Sequence, residues 1–174
     1  MTALPPGREH SVVDSPVGPL TLVASGGELA GLYMDLQRHP PRAETLGPSA
    51  TDATPLLHEA ARQLQDYFAG RRTEFELPLS LTGTVFQRRV WSALRDIPYG
   101  ETVSYGQLAD RIGQPTAARA VGLANGRNPI SIIVPCHRVV GADGGLTGYG
   151  GGLERKEHLL EFERRVRAGL GSAG

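Results

Sequence analysis

The sequence predicts an α+β protein of two lobes: a small antiparallel sheet covered by one helix, then a helical lobe built around a helix-turn-helix. Three observations predict it. Short apolar runs punctuated by Gly, Pro, Asp and Ser fill residues 10–34. Two capping-box signatures, Thr84-Val-Phe-Gln87 and Ser104-Tyr-Gly-Gln107, open helices further on. The charge is also divided: residues 1–83 hold six arginines against ten acids, a balance of −4, and residues 84–174 hold eleven arginines and one lysine against eight acids, +4. A basic lobe beside an acidic one suits one-sided docking on a polyanion. The predicted division is an N-terminal structural domain over 1–83, a C-terminal helix-turn-helix domain over 84–168 and a flexible tail over 169–174.

Met1 to Glu9 reads as a loose arm. Ser11-Val12-Val13, Leu20 to Val23 and Leu29 to Met34 follow as short strands separated by Asp14 to Pro19 and by Ser25-Gly26-Gly27-Glu28, the pattern of an antiparallel meander. Arg38 to Pro55 lacks periodicity and reads as a long loop. From Leu56 to Ala69, the residues Leu57, Ala60, Ala61, Leu64 and Phe68 form an apolar stripe with Gly70 as the stop, a helix that covers the sheet. Phe75 to Leu81 reads as a returning strand.

In the second lobe, Phe86, Val90, Trp91 and Leu94 form the stripe of a helix that ends before Ile97-Pro98-Tyr99-Gly100. The Ser104 start leads a short helix to Ile112, stopped at Gly113, and Pro115 opens a third helix over Thr116 to Asn125. Two short helices joined by a glycine turn make the helix-turn-helix. The third helix is rich in small residues, Ala117, Ala118, Ala120, Gly122 and Ala124, with Arg119 projecting from its middle. That pattern is read either as a tightly packed core helix or as a recognition helix on DNA. Gly141 to Gly152 holds seven glycines in twelve residues, and Leu153 to Arg167 forms the last helix. Glu163 falls on its inward face, where a carboxylate needs a partner; His137 is the expected one.

The chemistry centres on Pro135-Cys136-His137-Arg138, which holds the chain's one cysteine. The β-branched run Ile130 to Val134 predicts a short buried strand or extended segment ending at Pro135, so Cys136 is expected at a bend that aims its side chain out of the core. Neighbouring His137 and Arg138 are expected to lower the thiol pKa from about 8.5 into the neutral range. Cysteine, histidine and an inward glutamate form a nucleophile, a base and an orienter, with a water bridging His137 to Cys136. One cysteine excludes an internal disulfide and a cysteine-rich zinc site. No long apolar run or signal pattern is present, so the expected compartment is the cytoplasm. The triad alone suits a cysteine hydrolase as well as a group transfer.

These residues resemble a specific family. Pro135-Cys-His-Arg-Val-Val140, preceded by Gly126-Arg-Asn-Pro129 and Ala117-Ala-Arg-Ala-Val-Gly122 and followed by Tyr149-Gly-Gly-Gly152, is similar to the O6-alkylguanine-DNA alkyltransferases. The resemblance runs densely from Thr84 to Glu163. It implies a ribonuclease-H-like N-terminal domain and a winged-helix-like C-terminal domain that binds the minor groove of double-stranded DNA as a monomer, with cooperativity a candidate property. The flipped base would be repaired by a single irreversible transfer, with no cofactor and no metal. O4-alkylthymine is a candidate second substrate. By the same resemblance, Cys136 is the alkyl acceptor, His137 the base acting through water, Glu163 its orienter and Tyr105 a donor toward guanine N3. Ala118, Arg119, Asn128, Arg138, Tyr149, Gly150 and Lys156 are implied to hold DNA or the base. Glycine at 150, where some relatives carry serine, keeps a backbone contact and loses a hydroxyl one. The competing readings are a lesion-binding module that does not react, a cysteine hydrolase and a helix-turn-helix repressor. Cys136 argues against the first, the helix-turn-helix against the second, and the lack of a dimerisation element against the third.

Overall fold

The computed structural model describes residues 7–35, 37, 39–50, 54–146, 149 and 152–169. The arm at 1–6 and the tail at 170–174 lie outside them, as do positions 147, 148, 150 and 151 of the glycine-rich loop.

The first lobe is the expected meander: strands β1 (Glu9–Val13), β2 (Leu20–Ser25) and β3 (Glu28–Met34) pair antiparallel in the order β1-β2-β3. Glu9, read as part of the arm, begins the sheet. Helix α1 (Pro55–Phe68) starts where the Thr54 hydroxyl accepts from Leu57 N, with Pro55 in the first turn. Leu57, Ala60, Gln63, Leu64 and Tyr67 are its buried face, with Ala61 and Phe68 packed against the core at its margin; Tyr67 is the inward residue that the expected stripe lacks. The Gln63 amide donates to Glu76 O and accepts from Glu76 N, clasping the segment that follows. That segment is not the predicted strand. It makes a single parallel bridge, Leu79 to Leu29, because Pro78 supplies a carbonyl to Leu29 N but no N–H to extend a ladder. Among the described residues of the Arg38–Pro55 loop, Ala43–Thr45 forms a 3₁₀ turn.

The second lobe begins at α2 (Val85–Leu94), whose Thr84–Gln87 capping box is formed on both sides; Val90, Trp91 and Leu94 are buried. Strand β4 (Val103–Ser104) pairs parallel with β5 (Val139–Val140). Helix α3 (Tyr105–Arg111) carries the second capping box, Ser104–Gln107. Helix α4 spans Ala118–Gly126, starting later than predicted. Gly113 takes φ +77°, and Ala117 N closes a turn on Gln114 O at 2.9 Å, so Pro115 and Thr116 belong to the turn. Arg119 therefore stands in the first helical turn, not the middle, and is exposed. Trp91 Nε1 donates to Ala124 O at 2.8 Å, tying α2 to α4. Helix α5 covers Leu153–Arg167 as expected.

Between α4 and β5 the chain departs from its local preference. Ile130 to Val134 forms a buried turn rather than a strand. Asn128 accepts from Ile130 N at 3.0 Å and donates to Val134 O at 2.8 Å, while Val134 N donates to Ile130 O. Ile132 is held at φ 72°, the one non-glycine residue with positive φ among the described residues; for a β-branched side chain this costs about 1–3 kcal/mol. The turn hangs on the sheet edge: Leu32 N donates to Pro129 O and Ser131 N to Leu32 O. Both lobes thus hold the segment leading into the cysteine.

Candidate active site

Cys136, His137 and Arg138 form a single 3₁₀ turn between the strained segment and β5, and all three are buried. Cys136 does not point out of the core: it is 3% exposed. Nor does its setting lower the thiol pKa. Burial pushes it up; Asn128, the ammonium of Lys156 and the Ser131 hydroxyl only moderate the rise. The cationic neighbour expected to activate the thiol, Arg138, is engaged elsewhere. Lys156, fully buried on α5, takes that part, and burial brings its own pKa down to about 8 against the opposing pull of Cys136.

His137 lies behind the cysteine. Its Nε2 is 2.7 Å from Glu163 Oε2, as the inward glutamate requires. Burial pushes the Glu163 carboxyl pKa up, but His137 and Arg138 outweigh it and hold it well below the usual range, so it is ionised and can only accept. Nε2 of His137 is therefore the donor. Its Nδ1 is buried with no hydrogen-bond partner among the described residues.

Glu163 is met by donors on every side. Arg138 Nε reaches Oε1 at 2.8 Å and Nη2 reaches Oε2 at 3.0 Å, a bidentate pair; Gly100 N donates to Oε1 at 3.2 Å and the Tyr67 hydroxyl to Oε2 at 2.6 Å. Arg138 Nη1 donates to Ile97 O at 2.7 Å, and its guanidinium lies 5.5 Å from the Tyr99 ring centroid. Arg138 is thus buried, and its guanidinium holds Glu163.

Residues 85–165 match the DNA-binding domain of the 6-O-methylguanine DNA methyltransferases, and residues 9–81 match their ribonuclease-like domain. The chain belongs to that family. A methylated-DNA–protein-cysteine methyltransferase of Mycobacterium bovis is 57% identical over 158 residues, covering 89% of this chain and 92% of the relative. A constitutive one from Bacillus subtilis is 45% identical over 156 residues, covering 89% and 94%. The crystal structure of Mycobacterium tuberculosis OGT in complex with DNA superposes with a TM-score of 0.83 at 55% identity, covering 91% of this chain and 94% of that one. Family, α+β fold class and alkyltransferase activity are therefore those the motif implied.

Against that background, the residues around the alkyltransferase cysteine fall into two groups. Asn128, Tyr149 and Lys156 surround Cys136. The Tyr149 hydroxyl is 3.9 Å from Met34 Sδ, and burial pushes its pKa well up, with Cys136 adding to the rise. Tyr105, at the start of α3, has its ring centroid 5.9 Å from Lys156 Nζ and lies beside Gly122 of α4. Ala118 and Arg119 stand together in the first turn of α4, Ala118 half-buried and Arg119 exposed. Gly150 lies outside the described residues. Among the described residues no group of three or more His, Cys, Asp or Glu is placed to hold a metal, and no helix is long and apolar enough to cross a membrane.

Two participants escaped sequence reasoning. Ser131 sits inside an apolar run and gives no periodic signal. Tyr67 had one: a tyrosine at an inward helical position must find an acceptor for its hydroxyl. Asn125 is a further, smaller contact, donating to Cys136 O at 3.3 Å.

Proposed function

We propose that this chain repairs O6-alkylguanine in double-stranded DNA by moving the alkyl group onto Cys136, once per molecule and without a cofactor. The observation that carries the reading is the His137–Glu163 contact at 2.7 Å, which orients the imidazole and leaves Nδ1 as a buried base beside the cysteine. A water between Nδ1 and Sγ takes the thiol proton to His137. The thiolate attacks the alkyl carbon, the C–S bond forms as the C–O6 bond breaks, and the electron pair leaves with guanine. Burial raises the resting thiol pKa, so the thiol needs the His137 base to ionise.

The Tyr105 hydroxyl donates a hydrogen bond toward N3 of the leaving guanine, Lys156 stabilises the developing negative charge around sulfur and the base, and the proton held by His137 returns through water to the guanine anion. Asn128 closes the Ile130–Val134 turn that leads into the cysteine. Tyr149, with Gly150 after it, walls the base pocket. The α4 surface carrying Ala118 and Arg119 lies along the minor groove, and Arg119 fills the gap left by the flipped base. Extrusion costs a few kcal/mol, less for a mispaired base, which contributes selectivity. Arg138 is reassigned from DNA binding to holding Glu163. The domains divide near residue 83, the protein acts as a monomer with cooperativity on DNA a further property to measure, and the reduced thiol suits a cytoplasmic setting. O4-alkylthymine is a second candidate substrate, limited by how the loop at Gly150 meets the base.

Mass spectrometry after incubation with duplex DNA carrying one O6-methylguanine tests this. The expected result is one methyl replacing one hydrogen, confined to the Cys136 peptide. Lesion binding with no mass gain would instead make the chain a sensor.

A further inference from the structure

One donor to Glu163 comes from the other lobe. Tyr67 stands on the inward face of α1, 96 residues away in sequence, and its hydroxyl is 2.6 Å from Oε2; both side chains are fully buried. The Tyr67 ring already has its own packing role, against Phe68, Phe75, Tyr99 and Phe162 at centroid distances of 5.0, 5.5, 6.1 and 5.7 Å. The hydroxyl is chemically separable from that cluster.

We infer that Tyr67 is a positioning residue for alkyl transfer, by which the ribonuclease-like lobe sets the orientation and charge of the Glu163 carboxylate that His137 faces. This rests on the alkyl-transfer reading above. A bare carboxylate 2.7 Å from an imidazole favours the imidazolium, which cannot take a proton from Cys136. Oε2 shares its charge among three donors, His137, Arg138 Nη2 and Tyr67, while Oε1 serves Arg138 Nε and Gly100 N. Each donor other than His137 takes up part of the carboxylate's charge and so weakens its bias toward the imidazolium. The titratable and charged groups around the pair are Tyr67 from α1, Tyr99 from the turn before β4, Cys136 and Arg138 from the cysteine turn, and Tyr149 from the segment before α5. Of these, Tyr67 and Arg138 touch Glu163, and Tyr67 is the one supplied by the N-terminal lobe.

The test is single-turnover transfer from O6-methylguanine duplex to the full-length protein between about pH 5 and pH 9, the span in which an imidazole titrates. Tyr67→Phe keeps the ring and leaves Glu163 four other hydrogen bonds. It is expected to slow transfer at neutral pH by about three- to tenfold, part of what a general base supplies. Its DNA affinity stays unchanged, and the acidic limb of the rate profile moves to higher pH. Replacing Tyr67 with 3,5-difluorotyrosine, a stronger donor of almost the same size, moves that limb to lower pH and decides the matter if Tyr67→Phe does not fold. Phe68→Leu disturbs the same aromatic cluster and leaves the limb in place. If wild type transfers and neither Tyr67 replacement moves the limb, or Phe68→Leu moves it equally, the inference is overturned. If wild type itself does not transfer, the alkyl-transfer reading fails instead.

Discussion

The pocket around Glu163 and the outer surface of α4 are both arginine-bearing parts of one lobe, and they use arginine in opposite ways. Arg138 has Nε, Nη1 and Nη2 donating to protein acceptors, and the carboxylate it faces is buried and accepts five hydrogen bonds. Arg119 stands exposed in the first turn of a helix of small residues. The buried network is organised before any substrate arrives, so its energy appears in folding. The exposed arginine adds little to folding, and on the proposed function its energy is realised on DNA. Changes in the buried network should therefore cost stability as well as transfer, whereas a change at Arg119 should cost transfer alone.

Four experiments would break or sharpen that contrast. The largest effect belongs to Cys136→Ala, which should abolish methyl transfer from O6-methylguanine duplex in a mass assay while DNA binding in a gel-shift assay persists; any residual transfer removes the cysteine from the chemistry. Glu163→Ala should come next, because it strands the Arg138 guanidinium in the interior: a loss of about 3–5 kcal/mol in urea unfolding is expected, and a loss under 1 kcal/mol would mean the network does not hold the fold. Arg119→Ala should slow transfer about tenfold or more by weakening base extrusion, yet change unfolding free energy by less than about 0.5 kcal/mol. If stability falls as much as rate, the contrast between the two regions is wrong. The smallest effect is the change in stability with pH near neutrality that Glu163 causes. Its folded pKa is depressed, so its contribution is fully present above the unfolded value of about 4.3 and is lost as pH falls toward the folded one. Between pH 7 and 5 the wild-type curve attributable to this group should be flat; below about pH 4.3 it should decline, and Glu163→Gln should remove that decline.

Thiol reactivity gives a separate reading of the boundary between the regions. Because burial raises the Cys136 pKa, iodoacetamide should label it more slowly at pH 7 than it labels free cysteine, and Lys156→Met should slow labelling again by removing the moderating charge. Labelling as fast as free cysteine would show that the thiol is already ionised in the resting protein.

The sequence by itself determined the elements and the reacting groups. Capping signals depend on residues three apart, so Thr84, Ser104 and the starts of α2 and α3 were legible, as was the inward face of α5 with Glu163 and its expected partner His137. Tertiary structure decided what those groups do to one another. Ile130 to Val134 reads as strand by local preference, yet Asn128 and the β3 edge bend it into a turn that buries Cys136. Arg138, adjacent to the cysteine in sequence, turns to Glu163, while Lys156 and Tyr67 reach the site from α5 and α1. The physical reason is that helix starts and apolar stripes are written in near neighbours, whereas burial, charge pairing and pKa depend on groups that only the packing of two lobes brings within a few ångströms.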